Sequence, residues 1–394
     1  MLTAKTDTGK FVSLLQLSRA EALRCKKDSF VCPVCGEPVQ LKTGQIRIPH
    51  FAHLVQGQCV ESLEIETQEH LALKKELAQW CADSGLSYQL EVYLPEVKQR
   101  PDLLVGKLAV EIQCSPLKLS SMAKRSKNYL AHGYQPVWIC GSRVWGANRL
   151  KASSKQYCNY SRELGFHLWA ADWEARRLSL YYHIEEGQDR QLYYGCRSWA
   201  FGTNSLGFIL EKGFQSNLYH SRKYRVKLEM LRYYQSIRKK LLVRDHRFMK
   251  DQAYLYQRRL HALELRPWFY YPVNQSFILK DSILMLRHQI WVWLQEKQGR
   301  HITRLALYKR AYQLIVSQDL LFDFPLVYTA DAVEWYVHHL IQGLLLFGLV
   351  QRSGRGGDLL RVSPCIQTPA AKGRSWVKNS GLPRAIKTGT PIKV

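Results

Sequence analysis

Arg100-Pro-Asp-Leu-Leu-Val-Gly-Lys-Leu-Ala-Val-Glu-Ile-Gln-Cys114 reads as two short strands joined at Gly106-Lys107. A two-residue loop with glycine first suits a type II′ hairpin, and such a loop sets the strand register. Val105 then faces Leu108, Leu103 faces Val110, and Asp102 faces Glu111. Alternation puts Asp102, Glu111 and Gln113 on one face. Leu103, Val105, Leu108, Val110 and Ile112 take the other, which is apolar enough for a core. Two carboxylates opposed across strands repel each other. A cation between them relieves the repulsion. A hard divalent ion held by one or two carboxylates, with phosphate oxygens completing its shell, is the usual arrangement in phosphodiester chemistry. The bland alternative is a solvated hairpin face with two tolerated acids.

Working outward, residues 61–83 predict a helix rich in Glu, Leu, Ala, Lys and Gln. Leu73, Leu77 and Trp80 form its apolar stripe, and three- and four-residue steps carry that stripe back to Glu69 and Glu66. A carboxylate at the end of a buried stripe needs a partner. Glu61, Glu64 and Glu66 are also what a helix dipole favours in a first turn. Tyr88–Leu94 alternates as a strand and precedes the hairpin. Ser120 or Ser121 caps a helix that runs to about His132, Gly133 stops it, and Gln135–Cys140 is an apolar strand. Strand, helix and strand within so short a span make a crossover between parallel neighbours. The element order is α-β-β-β-α-β. Lys124, Arg125, Lys127 and Tyr129 lie on the crossover helix, where they either meet phosphates or form a solvated face.

Upstream, Cys32-Pro-Val-Cys35 is followed after fourteen residues by His50-Phe-Ala-His53. Paired thiolates and imidazoles at this spacing indicate structural zinc. The His-x2-His gap is shorter than that of a finger helix, so a loop-borne pair is expected. Cys25 and Cys59 flank the site, and either can replace one ligand.

Composition bounds the rest. The chain has 394 residues and a formal charge of +25, which favours a polyanionic partner, nucleic acid before membrane. No apolar run approaches the roughly 18 residues of a membrane span, and the N-terminus lacks a signal-like apolar stretch. Ten cysteines without such a signal read as thiols and metal ligands. A cytoplasmic protein is expected, with no membrane partner. Residues 11–24 form a short strand or helix, and residues 150–200 hold strands that either extend the sheet or open the next domain. Residues 201–214 read as a linker. From Tyr219 to Arg266, fourteen Lys/Arg stand against four Asp/Glu. Val226, Met230, Tyr233, Ile237 and Leu241 make a helical core stripe there, with Arg225, Arg232, Lys239 and Lys240 off it. A second helix is expected around 252–265. Cations with interleaved tyrosines suit a single-strand track, or a helical pair whose rings pack inward. Residues 281–365 read as helices followed by a β-hairpin, a winged-helix pattern. The tail from about 366 has the composition of a mobile segment.

A helix Glu, then Pro-Asp, then Glu-x-Gln after a hairpin, then Arg-x3-Tyr, resembles the PD-(D/E)XK nuclease core. The Cys-Pro-x-Cys and Pro-His-Phe-Ala-His pair, Glu69-His70, and Glu111-Ile-Gln-Cys-Ser resemble the competence protein CoiA family over about residues 20–145. The resemblance implies a restriction-endonuclease-like α/β core (61–200) behind a small zinc-binding β unit (1–60), with a mainly helical, basic domain after it (201–394). It implies a bacterial protein that handles incoming DNA during natural transformation and its recombination. Glu69, Asp102, Glu111 and Gln113 then occupy the nuclease-type site, with Asp102 and Glu111 holding Mg²⁺ or Mn²⁺. DNA, single-stranded or branched, is the implied substrate, and a recombinase or its loader an implied partner. The general motif ends in lysine where this chain has Gln113. Lysine brings a charge that stabilises developing negative charge; glutamine brings hydrogen bonds only. A non-catalytic single-strand-binding accessory is the rival reading.

Overall fold

The computed structural model describes residues 1–15, 17–44, 47–54, 59, 66–145, 152–186, 192–212, 226–271, 275–280, 283–354 and 358–369. They fall into two compact units, one of Met1–Ala147, Lys151–Tyr182 and Gly195–Leu218, the other of the remaining residues.

The first unit begins with β1 (Thr3–Thr6), β2 (Phe11–Ser13), α1 (Arg19–Arg24), β3 (Phe30–Val31), β4 (Pro38–Lys42) and β5 (His50–His53). The strands form one antiparallel sheet in the order β2-β1-β3-β4-β5. Ser18 and Glu21 start α1 with a reciprocal capping box. Phe30, Val39, Leu41 and Phe51 build a small core of its own.

Next come α2 (Gln68–Asp83), β6 (Gln89–Leu90), β7 (Leu103–Val105), β8 (Leu108–Gln113), α3 (Leu119–Ala131) and β9 (Gln135–Cys140). The β7–β8 register is Leu103↔Val110 and Val105↔Leu108, as the loop requires. Gly106 has φ +57° and Lys107 is not left-handed, which distinguishes II′ from I′. Leu103, Val105, Leu108, Val110 and Ile112 pack with Leu73, Leu77 and Trp80 of α2. On the opposite face, Ala109 packs with Tyr129 of α3. Helix α3 crosses over so that β9 lies parallel to β8.

The sheet continues through β11 (Gly165–Asp172), parallel to β9, and the antiparallel β12 (Arg177–Glu186) and β13 (Leu192–Ala200). A short helix, α4 (Ala152–Lys155), precedes β10 (Asn159–Ser161), which pairs with β11. These strands extend the sheet rather than opening a domain. Asp172 makes the β11–β12 turn by accepting from the amides of Glu174 and Ala175.

Four expectations change in this unit. Helix α3 starts at Leu119 after Lys118, with no side-chain cap, so neither Ser120 nor Ser121 caps it. Helix α2 starts at Gln68, because Thr67 caps it by accepting from His70 N; residues 61–65 lie outside the described residues. The strand expected over 88–94 is only Gln89–Leu90. Glu91 turns out of it with φ +49°, and its carboxylate serves elsewhere, as shown below. The expected linker carries α5 (Leu206–Lys212).

The second unit contains α6 (Val226–Leu242) and α7 (His246–Tyr256), then a 3₁₀ turn at Pro267–Tyr270 and α8 (Gln275–Ile278). After these come α9 (Ile283–Gln295), β14 (His301–Thr303), α10 (Arg304–Ser317), α11 (Thr329–Leu346), β15 (Val350–Ser353) and β16 (Leu359–Val362). Val226, Met230, Tyr233 and Ile237 are buried, as the stripe predicts. Helix α7 starts earlier than expected, since Asp245 caps it by accepting from Phe248 N at 2.9 Å. Buried Arg287 of α9 donates to the carbonyls of Trp268 and Phe269, giving partners to the buried carbonyl end of the 3₁₀ turn. Residues 283–362 run helix-strand-helix-helix-strand-strand, with the three strands ordered β14-β16-β15. The tail beyond 369 lies outside the described residues. No helix among the described residues is long and apolar enough to cross a membrane.

Candidate functional site

Two donor clusters stand out in the first unit. The first joins Cys32, Cys35, His53 and Cys59, whose ligand atoms all lie within 4.8 Å of one another. The knuckle is built locally. Gly36, at φ +75°, turns the chain, its amide donates to Cys32 O at 3.0 Å, and Val34 N points at Cys32 Sγ at 3.5 Å. Cys35 Sγ lies 3.4 Å from His53 Nε2. Three thiols and one imidazole suit a tetrahedral structural ion of the zinc type. Burial holds the His53 imidazole below its ordinary pKa and Arg100 adds to this, which keeps the ring neutral and able to ligate.

His50 is not brought into this set. Both histidines sit on β5, where Lys42 pairs with His50 and Val39 with His53. Residues three apart on a strand point to opposite faces. His50 Nδ1 is instead 2.9 Å from Ile48 O. Cys59, an alternative in the sequence, completes the group, and Cys25 stays outside it.

The second cluster is electrostatic. Asp102, at the head of β7, accepts from Ile112 N at 2.8 Å and lies 3.0 Å from His70 Nε2. Its other oxygen lies 2.9 Å from Lys74 Nζ. The Lys74 side chain is 2% exposed and also reaches Glu91 at 2.7 Å and Glu66. Glu91 Oε2 in turn takes hydrogen bonds from Leu2 N, Thr3 N and Thr3 Oγ1. The left-handed turn at Glu91 thus ties β1 to α2 through one carboxylate.

Burial alone would raise the Asp102 carboxyl, but Lys74 and His70 outweigh it and hold the group far below the usual carboxylate range. Burial would likewise raise Glu91, and Lys74 brings it down to about 2. Lys74, which burial alone would lower, is held well above its ordinary value by Asp102, Glu66 and Glu91. Glu66, His70 and Asp102 each offer a ligand atom within 4.8 Å of the others. One imidazole and two carboxylates suit Mn²⁺ better than Mg²⁺, which prefers oxygen alone.

The other expected site residues lie nearby with partners of their own. Both oxygens of Glu111 are 2.6 Å from Arg125 NH2, and Tyr129 OH donates to it at 2.7 Å. Glu69 accepts from Ser142 N at 2.7 Å, just past the carboxyl end of β9. Gln113 donates from Nε2 to Ser115 O at 2.7 Å. Glu69 and Glu111 fall outside both donor groups. Gly141 makes room for this arrangement: a Cβ there would lie 2.6 Å from Cys114 Sγ and 2.9 Å from Glu69 Oε1.

Of the residues expected to meet DNA, Lys124 and Lys239 are exposed. Arg125 is committed to Glu111, and Tyr129 is fully buried beneath it. Arg232 pairs with Glu229 at 2.9 Å, and Lys240 lies over the Phe248 ring. Arg225 lies outside the described residues. Glu66 was read as part of the α2 stripe and His70 as part of the Glu69-His70 motif, but neither as a ligand, and Lys74 was not singled out at all. The signal for Lys74 was present: it stands four residues after His70 on α2, so the two side chains share one side of the helix.

The fold and these clusters describe a nuclease-like α/β domain preceded by a small Cys/His unit. The comparison of sequences gives the same division. The family model for the competence protein CoiA N-terminal domain matches residues 14–62, and that for its nuclease-like domain matches residues 66–214. Over these residues the chain belongs to the competence protein CoiA family. It is 33% identical over 142 residues to competence protein CoiA of Bacillus subtilis (strain 168), a match spanning 35% of this chain and 37% of that protein. No solved structure matches it.

Proposed function

We propose that the chain processes DNA taken up in natural transformation, as a metal-dependent nuclease on incoming or branched strands. The reading rests on one observation: the donor atoms of Glu66, His70 and Asp102 converge within 4.8 Å inside a nuclease-like domain. Asp102 is the ligand common to this trio and to the Asp102–Glu111 pair of the PD-(D/E)XK pattern. A bound Mg²⁺ or Mn²⁺ would supply a Lewis acid and lower the pKa of a bound water. Lys74 supplies the fixed positive charge that Gln113 lacks, 2.9 Å from Asp102 on a neighbouring helix. Glu69, oriented by Ser142 N, and Gln113, held by Ser115 O, line the carboxyl ends of the strands. Cys32, Cys35, His53 and Cys59 would hold zinc and brace the β unit.

One observation favours the rival, a non-catalytic single-strand-binding accessory to a recombinase or its loader. Both oxygens of Glu111 and both of Asp102 already have protein donors, Arg125 and Tyr129 for one, Lys74, His70 and Ile112 N for the other. Degradation of end-labelled single-stranded, duplex and branched DNA with Mg²⁺ or Mn²⁺ decides between them. The nuclease loses cleavage in Asp102→Ala and Glu111→Ala while retaining DNA binding. Absence of cleavage on every substrate with the wild type leaves the accessory role.

A further inference from the structure

The two most exposed large aliphatic side chains among the described residues are neighbours in sequence: Leu242 is 76% exposed and Val243 65%. They stand at the elbow between α6 and α7. One exposed leucine on a surface is ordinary; an adjacent pair at the apex of a turn calls for an explanation. The elbow is built to present them. Asp245 N donates to Lys240 O at 2.9 Å, Val243 N donates to Lys239 O at 3.0 Å, and Arg244 takes a left-handed φ of +50°. The turn holds the pair outward at the cost of strain at Arg244.

The surroundings are of one sign. Arg238, Lys239, Arg244, Arg247 and Lys250 are all exposed. The acids of the elbow and of α7 are engaged by backbone amides. Asp245 spends its carboxylate on the amide of Phe248, and Asp251 is 2% exposed and accepts from Leu284 N. An aliphatic tip ringed by cations therefore faces solvent.

We infer that this elbow docks the protein on an anionic phospholipid surface. Leu242 and Val243 enter between the headgroups, and the surrounding cations hold lipid phosphates. Nucleic acid and lipid both offer phosphates, so the cations alone do not choose. The tip does. Unpaired bases are taken by aromatic faces; Tyr233 and Tyr234 of α6 are buried, and the exposed Tyr256 stands at the far end of α7 from the elbow. An interface of headgroups and acyl chains takes aliphatic side chains flanked by Lys and Arg. The attachment is peripheral, in keeping with the absence of a membrane-crossing helix among the described residues. It is independent of the nuclease reading, since it concerns a different unit and different chemistry.

The test is co-sedimentation of the full chain with phosphatidylcholine vesicles, with and without phosphatidylglycerol, alongside DNA binding by the same protein. The chain should sediment with the anionic vesicles and far less with the neutral ones. Leu242→Ser with Val243→Ser should weaken vesicle partitioning by about ten-fold or more, as loss of two inserted aliphatic chains requires, and leave DNA affinity unchanged. Both side chains are exposed, so the change does not open a core. No sedimentation with anionic vesicles overturns the proposal, as does a double variant that partitions like wild type. Equal loss of DNA affinity in the double variant would assign the tip to a wedge in duplex DNA instead.

Discussion

Lys74 pairs with Asp102, Glu91 and Glu66 at once, from a side chain 2% exposed. Taking away one partner of such a buried cluster leaves uncompensated charge. Lys74→Met should therefore lower stability to chemical denaturation by about 3–5 kcal/mol near neutral pH. The pH dependence should weaken with it. In the wild type, Asp102 and Glu91 have folded-state pKa values below their unfolded ones, so their contribution is present above about pH 4. It is lost as pH falls through the folded values, about 2 for Glu91. In Lys74→Met, burial acts on these carboxylates without the ammonium. Their folded values then rise toward the unfolded ones, held down only by His70 and Ile112 N for Asp102 and by the N-terminus and Arg100 for Glu91, so less stability should be lost on acidification below about pH 4 than in the wild type. Denaturation midpoints across pH 2–8 for both proteins check this. A wild-type profile that stays flat below pH 4 would remove Lys74 from the role given to it.

At the scale of elements, β5 and the end of β9 decide which residues meet. A strand cannot aim His50 and His53 at one ion, and the structure draws Cys59 in. Cys59→Ser should lower the zinc content of protein purified without added metal and loosen the β unit, whereas His50→Ala should leave zinc near one per chain. Elemental analysis by mass spectrometry reads this directly; equal loss in both variants would return His50 to the ligand set. At the end of β9, Gly141 lets Glu69 approach the backbone of Ser142. Gly141→Ala should push Glu69 and Cys114 aside and cost about 1–3 kcal/mol, the range of overpacking. A thermal melt at unchanged midpoint would mean the neighbours yield freely. Helix α2 was legible because its stripe repeats with helical period, and the end of α3 because Gly133 stops it. The short β6 was not, because Glu91 leaves the ladder to meet Lys74 and the amides of Leu2 and Thr3, all distant in sequence.

At the scale of the whole molecule, the charge of +25 makes any nucleic-acid affinity fall with salt. If Lys239 and Lys240 meet phosphates, Lys239→Glu with Lys240→Glu should weaken DNA binding and flatten the log–log salt slope by about 1–2. Filter binding across salt concentrations measures this, and an unchanged slope would exclude α6 from the DNA path. The excess of cations over acids in residues 219–266 was plain in the sequence. Its disposition was not: Arg232 is spent on Glu229, Tyr233 and Tyr234 face inward, and Leu242 and Val243 point to solvent.

The amino-acid sequence by itself determined whatever depends on neighbours along the chain. The II′ loop at Gly106-Lys107 set the β7–β8 register, periodicity set which faces of α2 and α6 are buried, and the Cys32–Cys35 knuckle set one half of a donor group that could hold a metal. Tertiary structure alone decided the partners of charged groups. Asp102 and Glu111, expected to share an ion, each found a protein cation, Lys74 and Arg125, on different helices. The reason is physical. Backbone geometry is fixed by steric rules acting over a few residues, whereas a buried charge is satisfied by whichever opposite charge the packed fold brings within about 3 Å.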